Sequence, residues 1–167
     1  MKKRGTGANG AAKKPNGAAM RPFSRSLPMQ LLRAREAVMR RFRPHLASHG
    51  FSEQQWRIMR ALADAGQMEI GALSDECQIH AASLSRMLPK LARAGLISRK
   101  NHEDDQRRVV VSITPKGRSV FRTAAPESEE IYAAMEREIG AQKLRDLYKL
   151  LDEVIESLPV NGAPRQE

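Results

Sequence analysis

IHAASLSRMLPKLARAGLISRKNHEDDQRRVVVSI, residues 79–113, is the stretch that decides the fold. Its first part predicts a helix over residues 81–94. Leu84, Leu88 and Leu91 recur at i, i+4 and i+7, while Ser83, Arg86, Lys90 and Arg93 keep the same period on the opposite side. One face suits a core and the other suits phosphates and bases. Gly95-Leu96-Ile97 leaves the helix, and two β-branched, arginine-bearing runs follow, Ile97-Ser98-Arg99-Lys100 and Val109-Val110-Val111-Ser112-Ile113. The polar tip between them, residues 101–108, carries Asp105-Gln106-Arg107-Arg108. A helix that runs at once into a basic hairpin reads as a winged helix.

Upstream, Ile70, Leu73 and Cys77 are the inward positions of a short helix over residues 69–77. Gln78-Ile79-His80 connects it tightly to the helix above, which is the helix-turn-helix arrangement. Before that, Ser52 and Gln55 match a capping box, and Phe51 and Trp56 stand where a hydrophobic staple places its pair. A helix from there to about Ala65 follows, with a turn at Gly66-Gln67 and Met68 able to add a third strand. A first helix from about Ser26 to Gly50 carries Leu31, Val38, Phe42 and Leu46, with Pro44 predicting a late kink. Arg35 interrupts its stripe, a charge aimed at something buried, which either pairs with a carboxylate or meets an anionic ligand. Downstream, Thr114 and Pro115 suit the N-cap and first position of a long helix along which lie Phe121, Ala125, Ile131, Met135 and Ile139, with Pro126 bending it. Gly140 breaks it, and a last helix to Leu158 carries Leu144, Leu147, Tyr148, Leu151, Val154, Ile155 and Leu158. The first helix and the last two carry more apolar surface than a small winged helix needs, which predicts that they interlock with a second copy.

At 167 residues the chain suits one domain with a real core, and its composition favours helix. The expected architecture is mainly α with a small β wing: a basic tail over 1–25 expected to be disordered, a dimerisation helix over 26–50, a winged helix-turn-helix DNA-binding lobe over 51–113, dimerisation helices over 114–158 and a flexible tail over 159–167. Of the formal net charge of +10, seven charges come from Lys2, Lys3, Arg4, Lys13, Lys14, Arg21 and Arg25, in a segment without acids. The tail therefore favours a polyanionic partner, while the lobe itself is only mildly basic. No apolar run reaches the roughly 18 residues that a membrane span needs. The basic N-terminus lacks the apolar segment of a secretory signal, and the single cysteine, Cys77, fits a reducing compartment; a cytoplasmic protein is expected. An enzyme is not: there is no phosphate-binding glycine loop, the histidines stand apart at 45, 49, 80 and 102, and Glu103-Asp104-Asp105 reads as a solvated, wing-shaping run. Neither a metal nor a cofactor is expected.

The order of elements and the run Asp105-Gln106-Arg107-Arg108-Val109-Val110-Val111-Ser112-Ile113-Thr114-Pro115-Lys116-Gly117 resemble the MarR family of bacterial transcriptional regulators, over residues 27–158. Ser26-Leu27-Pro28-Met29-Gln30-Leu31-Leu32-Arg33-Ala34-Arg35-Glu36 and Phe51-Ser52-Glu53-Gln54-Gln55-Trp56-Arg57 resemble its HpaR-type branch, which represses homoprotocatechuate catabolism. The resemblance implies a homodimer that binds a pseudo-palindromic operator in double-stranded DNA. Physical reasoning agrees, since a two-fold dimer can set its recognition helices about 34 Å apart. Around the helix start, Ala81, Ala82 and Ser83 are small and allow close approach to phosphate, His80 beside them is a further DNA-binding candidate, and Ser85, Arg86 and Lys90 are the side chains expected to reach bases or backbone. On the wing, Arg107 matches the family's minor-groove arginine and Asp105 the acid that shapes the wing. Arg108, Asn101 and His102 are candidates for backbone contact.

The same resemblance implies an effector, a phenolic or heteroaromatic carboxylic acid, that releases a repressor from an aromatic-acid catabolism operon. Met29, Arg33, Arg35, His49 and Trp56 are its expected binding residues, apolar walls with cations for a carboxylate. Two alternatives stand beside this reading: an architectural DNA-binding protein with no small-molecule response, and a redox-responsive regulator acting through Cys77.

Overall fold

A computed structural model describes residues 20–101 and 108–158 of the chain, so His102, Asp105 and Arg107 lie outside the described residues. Two compact units are present, divided between Ala37 and Val38. The N-terminal unit holds a short 3-10 turn, Phe23–Arg25, and the first half of helix α1, Leu27–Ser48. Most of the expected tail lies outside the described residues, and the part that is described contains this helical turn. The Gln30 side chain donates to the Ser24 carbonyl and so ties the turn to the start of α1.

The second unit contains the rest of α1, then α2 (Glu53–Ala65), β1 (Gln67–Glu69), α3 (Ile70–Cys77), α4 (Ala81–Arg93), β2 (Ile97–Asn101), β3 (Val109–Ile113), α5 (Pro115–Ile139) and α6 (Ala141–Ser157). The start of α2 forms as read. Ser52 Oγ accepts from Gln55 N–H at 3.2 Å, Gln55 Oε1 accepts from Ser52 N–H at 2.9 Å, and the Phe51 and Trp56 rings lie 5.7 Å apart. β3 is the central strand of an antiparallel sheet of order β1-β3-β2, with Met68 opposite Val111 and Arg99 opposite the same residue from the other side. The third strand that Met68 suggested is therefore real.

The core of this unit is built from Leu46, Ile58, Met59, Leu62, Leu73, Leu84, Leu88 and Val111, each at most 2% exposed. The leucine stripe of α4 supplies two of these outright and Leu91 besides. Pro89 lies inside α4 without ending it. The carbonyl its missing N–H would have bonded belongs to Ser85, an exposed residue, so water can serve it. Helix α1 likewise runs through Pro44 to Ser48. Along α5 the buried positions are Gly117, Ala124 and Ser128 rather than Ala125, and Ile139 is exposed. Arg41 on α1 and Glu138 on α5 form a two-pronged ion pair at 2.7 and 2.6 Å, which holds the Glu138 carboxyl below the usual carboxylate range. Helix α6 has no buried residue at all. Among the described residues no helix is long and apolar enough to cross a membrane.

Candidate nucleic-acid interface and effector cavity

Helix α4 is set by its two ends. At the entry, Gln78 adopts a left-handed conformation (φ 48°, ψ 51°) between α3 and α4, and its side-chain amide donates to the Asp75 carbonyl at 2.7 Å. His80 is the N-cap but provides no side-chain cap, so the first amides of α4 are offered outward beside exposed Ala81 and Ala82. At the exit, Leu96 N–H bonds the Leu91 carbonyl at 3.0 Å and Gly95 N–H the Ala92 carbonyl at 2.9 Å, a Schellman closure that requires the positive φ (+72°) of Gly95.

With Leu84, Leu88 and Leu91 inward, Ser85, Arg86, Lys90 and Arg93 are exposed on the other side, while Ser83 is half-buried and accepts from Arg86 Nη2 at 3.4 Å. The sequence-derived candidates on this helix thus share one outward surface. On the wing, Arg99, Lys100 and Asn101 of β2 are exposed. Arg108 is exposed, and its guanidinium donates through Nε (3.0 Å) and Nη2 to the carboxylate of Glu69 on β1. It fastens the base of the wing to the sheet edge, a pairing across 39 residues that spacing could not reveal.

The expected effector residues are distributed otherwise than the sequence suggested. Trp56 is buried and stacks on Phe121 of α5, ring centroids 5.2 Å apart and 28° from parallel. It lines a cavity of about 200 Å³ together with Arg60, Asp64, Phe121, Ala125, Ser128 and Glu129. Arg60 Nη1 donates to the Tyr132 hydroxyl at 2.8 Å, and its guanidinium lies 5.8 Å from the centre of that ring. Arg60, Phe121 and Tyr132 were not among the residues expected beside Trp56. The spacing of Trp56, Arg60 and Asp64 along one line of α2 was the available signal. Met29, Arg33 and Arg35 belong to the N-terminal unit. Arg35 is exposed rather than aimed at buried surroundings, and it pairs with Glu36 at 2.8 Å.

His49 is no wall of this cavity. It sits just past the end of α1, edge-on to His45 with centroids 5.0 Å apart, and its Nε2 lies 3.5 Å from Oε2 of Glu127. The histidines therefore do not all stand apart: donor atoms of His45, His49 and Glu127 lie within 4.8 Å of one another, correcting the expectation that no such cluster exists. Contact with the His45 ring, and then with His49, holds the Glu127 carboxyl below the usual carboxylate range. Cys77 is 3% exposed, and burial pushes its thiol up, with Arg57 partly opposing. A buried thiol with little thiolate is a poor sensor of oxidants.

The MarR family pattern matches residues 51–109, the span from the α2 cap to the start of β3. Over 142 residues the chain is 38% identical to the homoprotocatechuate degradative operon repressor of Escherichia coli, covering 85% of this chain and 93% of that protein. The crystal structure of the transcriptional regulator PA4135 superposes with a TM-score of 0.78 at 40% identity, over 80% of this chain and 98% of that one. The structure of NadR in complex with 4-hydroxyphenylacetate superposes at 0.68 with 33% identity, over 86% and 97%. The first two are, by description, an operon repressor and a transcriptional regulator. A winged helix with an outward basic face on α4, and likeness of this extent to such regulators, establish that the chain belongs to the MarR family of DNA-binding transcription regulators.

Proposed function

We propose that this chain is a dimeric, cytoplasmic repressor of an aromatic-acid catabolism operon, released from a pseudo-palindromic operator by a phenolic carboxylate. The observation that carries the reading is the cavity over Trp56 and Phe121. The edges of the two stacked rings give it an apolar wall, Asp64 and Glu129 line it as well, and Arg60 can turn its fork from the Tyr132 hydroxyl to a carboxylate. Support comes also from the NadR structure, which holds 4-hydroxyphenylacetate, a ligand of this chemistry. Because the cavity lies between α2 and α5, a ligand there bears on the helix that leads out of the wing. A ligand that prefers one dimer spacing shifts the population toward it.

DNA is read by α4, with Ser85, Arg86 and Lys90 toward bases and backbone and the His80 to Ser83 end toward phosphate. Asp105 and Arg107 at the wing tip remain part of this proposal from the resemblance alone. Replacing Arg86 with alanine is expected to weaken binding to an operator fragment and to reduce the slope of log affinity against log salt by about 2, one contact being lost from each subunit. An unchanged slope removes Arg86 from the interface. The second copy covers the apolar sides of α1 and α6, where Leu31, Leu32, Leu147, Tyr148 and Ile155 are exposed in the single chain.

The effector is tested by thermal shift with 4-hydroxyphenylacetate and related aromatic acids. A binder at a hundred times its dissociation constant stabilises the folded state by about 2.7 kcal/mol. The wild-type chain should show that rise and the Arg60→Ala variant should lose it, although Arg60 is exposed and its removal leaves the core intact. No shift with any member of the panel would remove the aromatic-acid reading.

A further inference from the structure

Ser128 of the cavity lining also touches a second cluster of side chains, through His45. We propose that His45, His49 and Glu127 form a binding site for a divalent transition metal of zinc-like preference.

Three features carry this. First, the donor atoms converge. His45 Nδ1 lies 2.8 Å and His49 Nε2 3.5 Å from the same carboxylate oxygen of Glu127, and all are within 4.8 Å of one another. Tetrahedral ligands at about 2.1 Å from zinc stand about 3.4 Å apart, so only small side-chain adjustments admit the ion. Second, the scaffold is rigid. His45 and His49 are four residues apart at the end of α1, joined by the His49 N–H to His45 carbonyl bond at 3.3 Å, and Glu127 is held on α5.

Third, the buried ring nitrogen is unsatisfied. His45 is 3% exposed, and its Nδ1 makes no hydrogen bond although a carboxylate oxygen is 2.8 Å away, which means that the contact is out of line. Its other nitrogen, Nε2, lies 2.9 Å from Ser128 Oγ. If Nε2 carries the proton and donates there, Nδ1 presents a lone pair toward a carboxylate; if Nδ1 carries it, the proton is misdirected. A cation between nitrogen and oxygen resolves both cases, and the Ser128 contact is the outer hydrogen bond that orients a metal-bound imidazole. Two imidazoles and one carboxylate suit zinc and its neighbours rather than calcium or magnesium, and three protein donors leave a fourth position for water or an oxygen ligand.

The test exploits Trp56, the single tryptophan, whose ring lies 6.1 Å from His45. The metal-free full-length protein is titrated with Co2+ and followed by tryptophan fluorescence and by the visible absorption of the ion. The expected result is one equivalent per chain, with quenching of Trp56, a tetrahedral cobalt spectrum, and reversal of both on adding Zn2+. His49→Gln and Glu127→Gln alter residues that are 25% and 52% exposed, so the fold survives, and each should lower affinity by about tenfold or more. His80→Gln, outside the cluster, should take up Co2+ as the wild type does. Absence of stoichiometric uptake by the wild type, or undiminished uptake by the His49→Gln, Glu127→Gln double variant, overturns the proposal. Operator binding is not a readout here, so this result stands apart from that of the repressor reading.

Discussion

Gly117→Ala should destabilise the folded protein by about 3 kcal/mol, at the upper end of what overpacking costs, and lower its melting temperature by roughly 10 °C. Gly117 is the third residue of α5 and has no unusual backbone angle, so the reason is space alone. A Cβ there would stand 2.1 Å from the Leu96 carbonyl oxygen, 2.9 Å from Ile113 Cγ1 and 3.0 Å from the Leu96 carbonyl carbon. Backbone cannot give way cheaply. That carbonyl accepts from Thr114 N–H at 3.1 Å, while Thr114 Oγ1 donates to the Gly95 carbonyl at 2.7 Å and accepts from Gly117 N–H at 2.9 Å. Lys116 Nζ meanwhile donates to the Ala94 carbonyl at 2.7 Å. The first turn of α5 thus clamps the end of α4 and the start of β2, and pushing it away loosens reader and wing together. Gly71→Ala is the control, because its Cβ meets nothing within 4 Å and it lies within α3, where alanine should be neutral or mildly stabilising. Denaturation at a fixed protein concentration checks both, and a loss below about 0.5 kcal/mol for Gly117→Ala would show that the junction yields.

That clamp also shows where sequence reasoning succeeds and stops. The stripe of α4, the cap at Ser52, the proline start of α5 and the β-branched strands are local patterns, and each forms within a residue or two of its reading. Gly117 was recognisable only as part of a wording, Thr114-Pro115-Lys116-Gly117, because the carbonyl that forbids a side chain there comes from Leu96, on the far side of the wing. The same limit applies to charge. The Glu69 that pairs with Arg108 comes from β1 and the Tyr132 that pairs with Arg60 from α5, so neither pairing is visible in the local sequence. The His45 and His49 pair was present at helical spacing, yet a pair of imidazoles on one helix lacks meaning without a third donor, and Glu127 is 78 residues beyond His49. Long-range pairings decide site chemistry here, whereas periodicity decides only the elements that carry it.

The repressor reading makes its sharpest demand on α6, where Leu147→Glu combined with Ile155→Glu is expected to convert a dimer into a monomer. The helix contributes no buried residue to its own chain: Leu147 is 45% and Ile155 66% exposed, with Leu158 as open as Ile155. Neither substitution leaves a hole in this subunit, so circular dichroism should stay unchanged. In a dimer, each carboxylate would instead be taken from water into an apolar seam without a partner, at a cost of several kcal/mol per charge, and two-fold symmetry doubles it. Operator affinity must fall with the assembly. A dimer engages its second half-site intramolecularly, and breaking that link forfeits a gain on the order of 10²–10⁴ in affinity, even with both α4 surfaces intact. Sedimentation velocity reads the assembly and gel shift on a two-half-site fragment reads the affinity. A half-site fragment should be bound equally weakly by wild type and variant. A double variant that remains dimeric and keeps wild-type affinity for the full fragment would mean that α6 is covered by something other than a second copy.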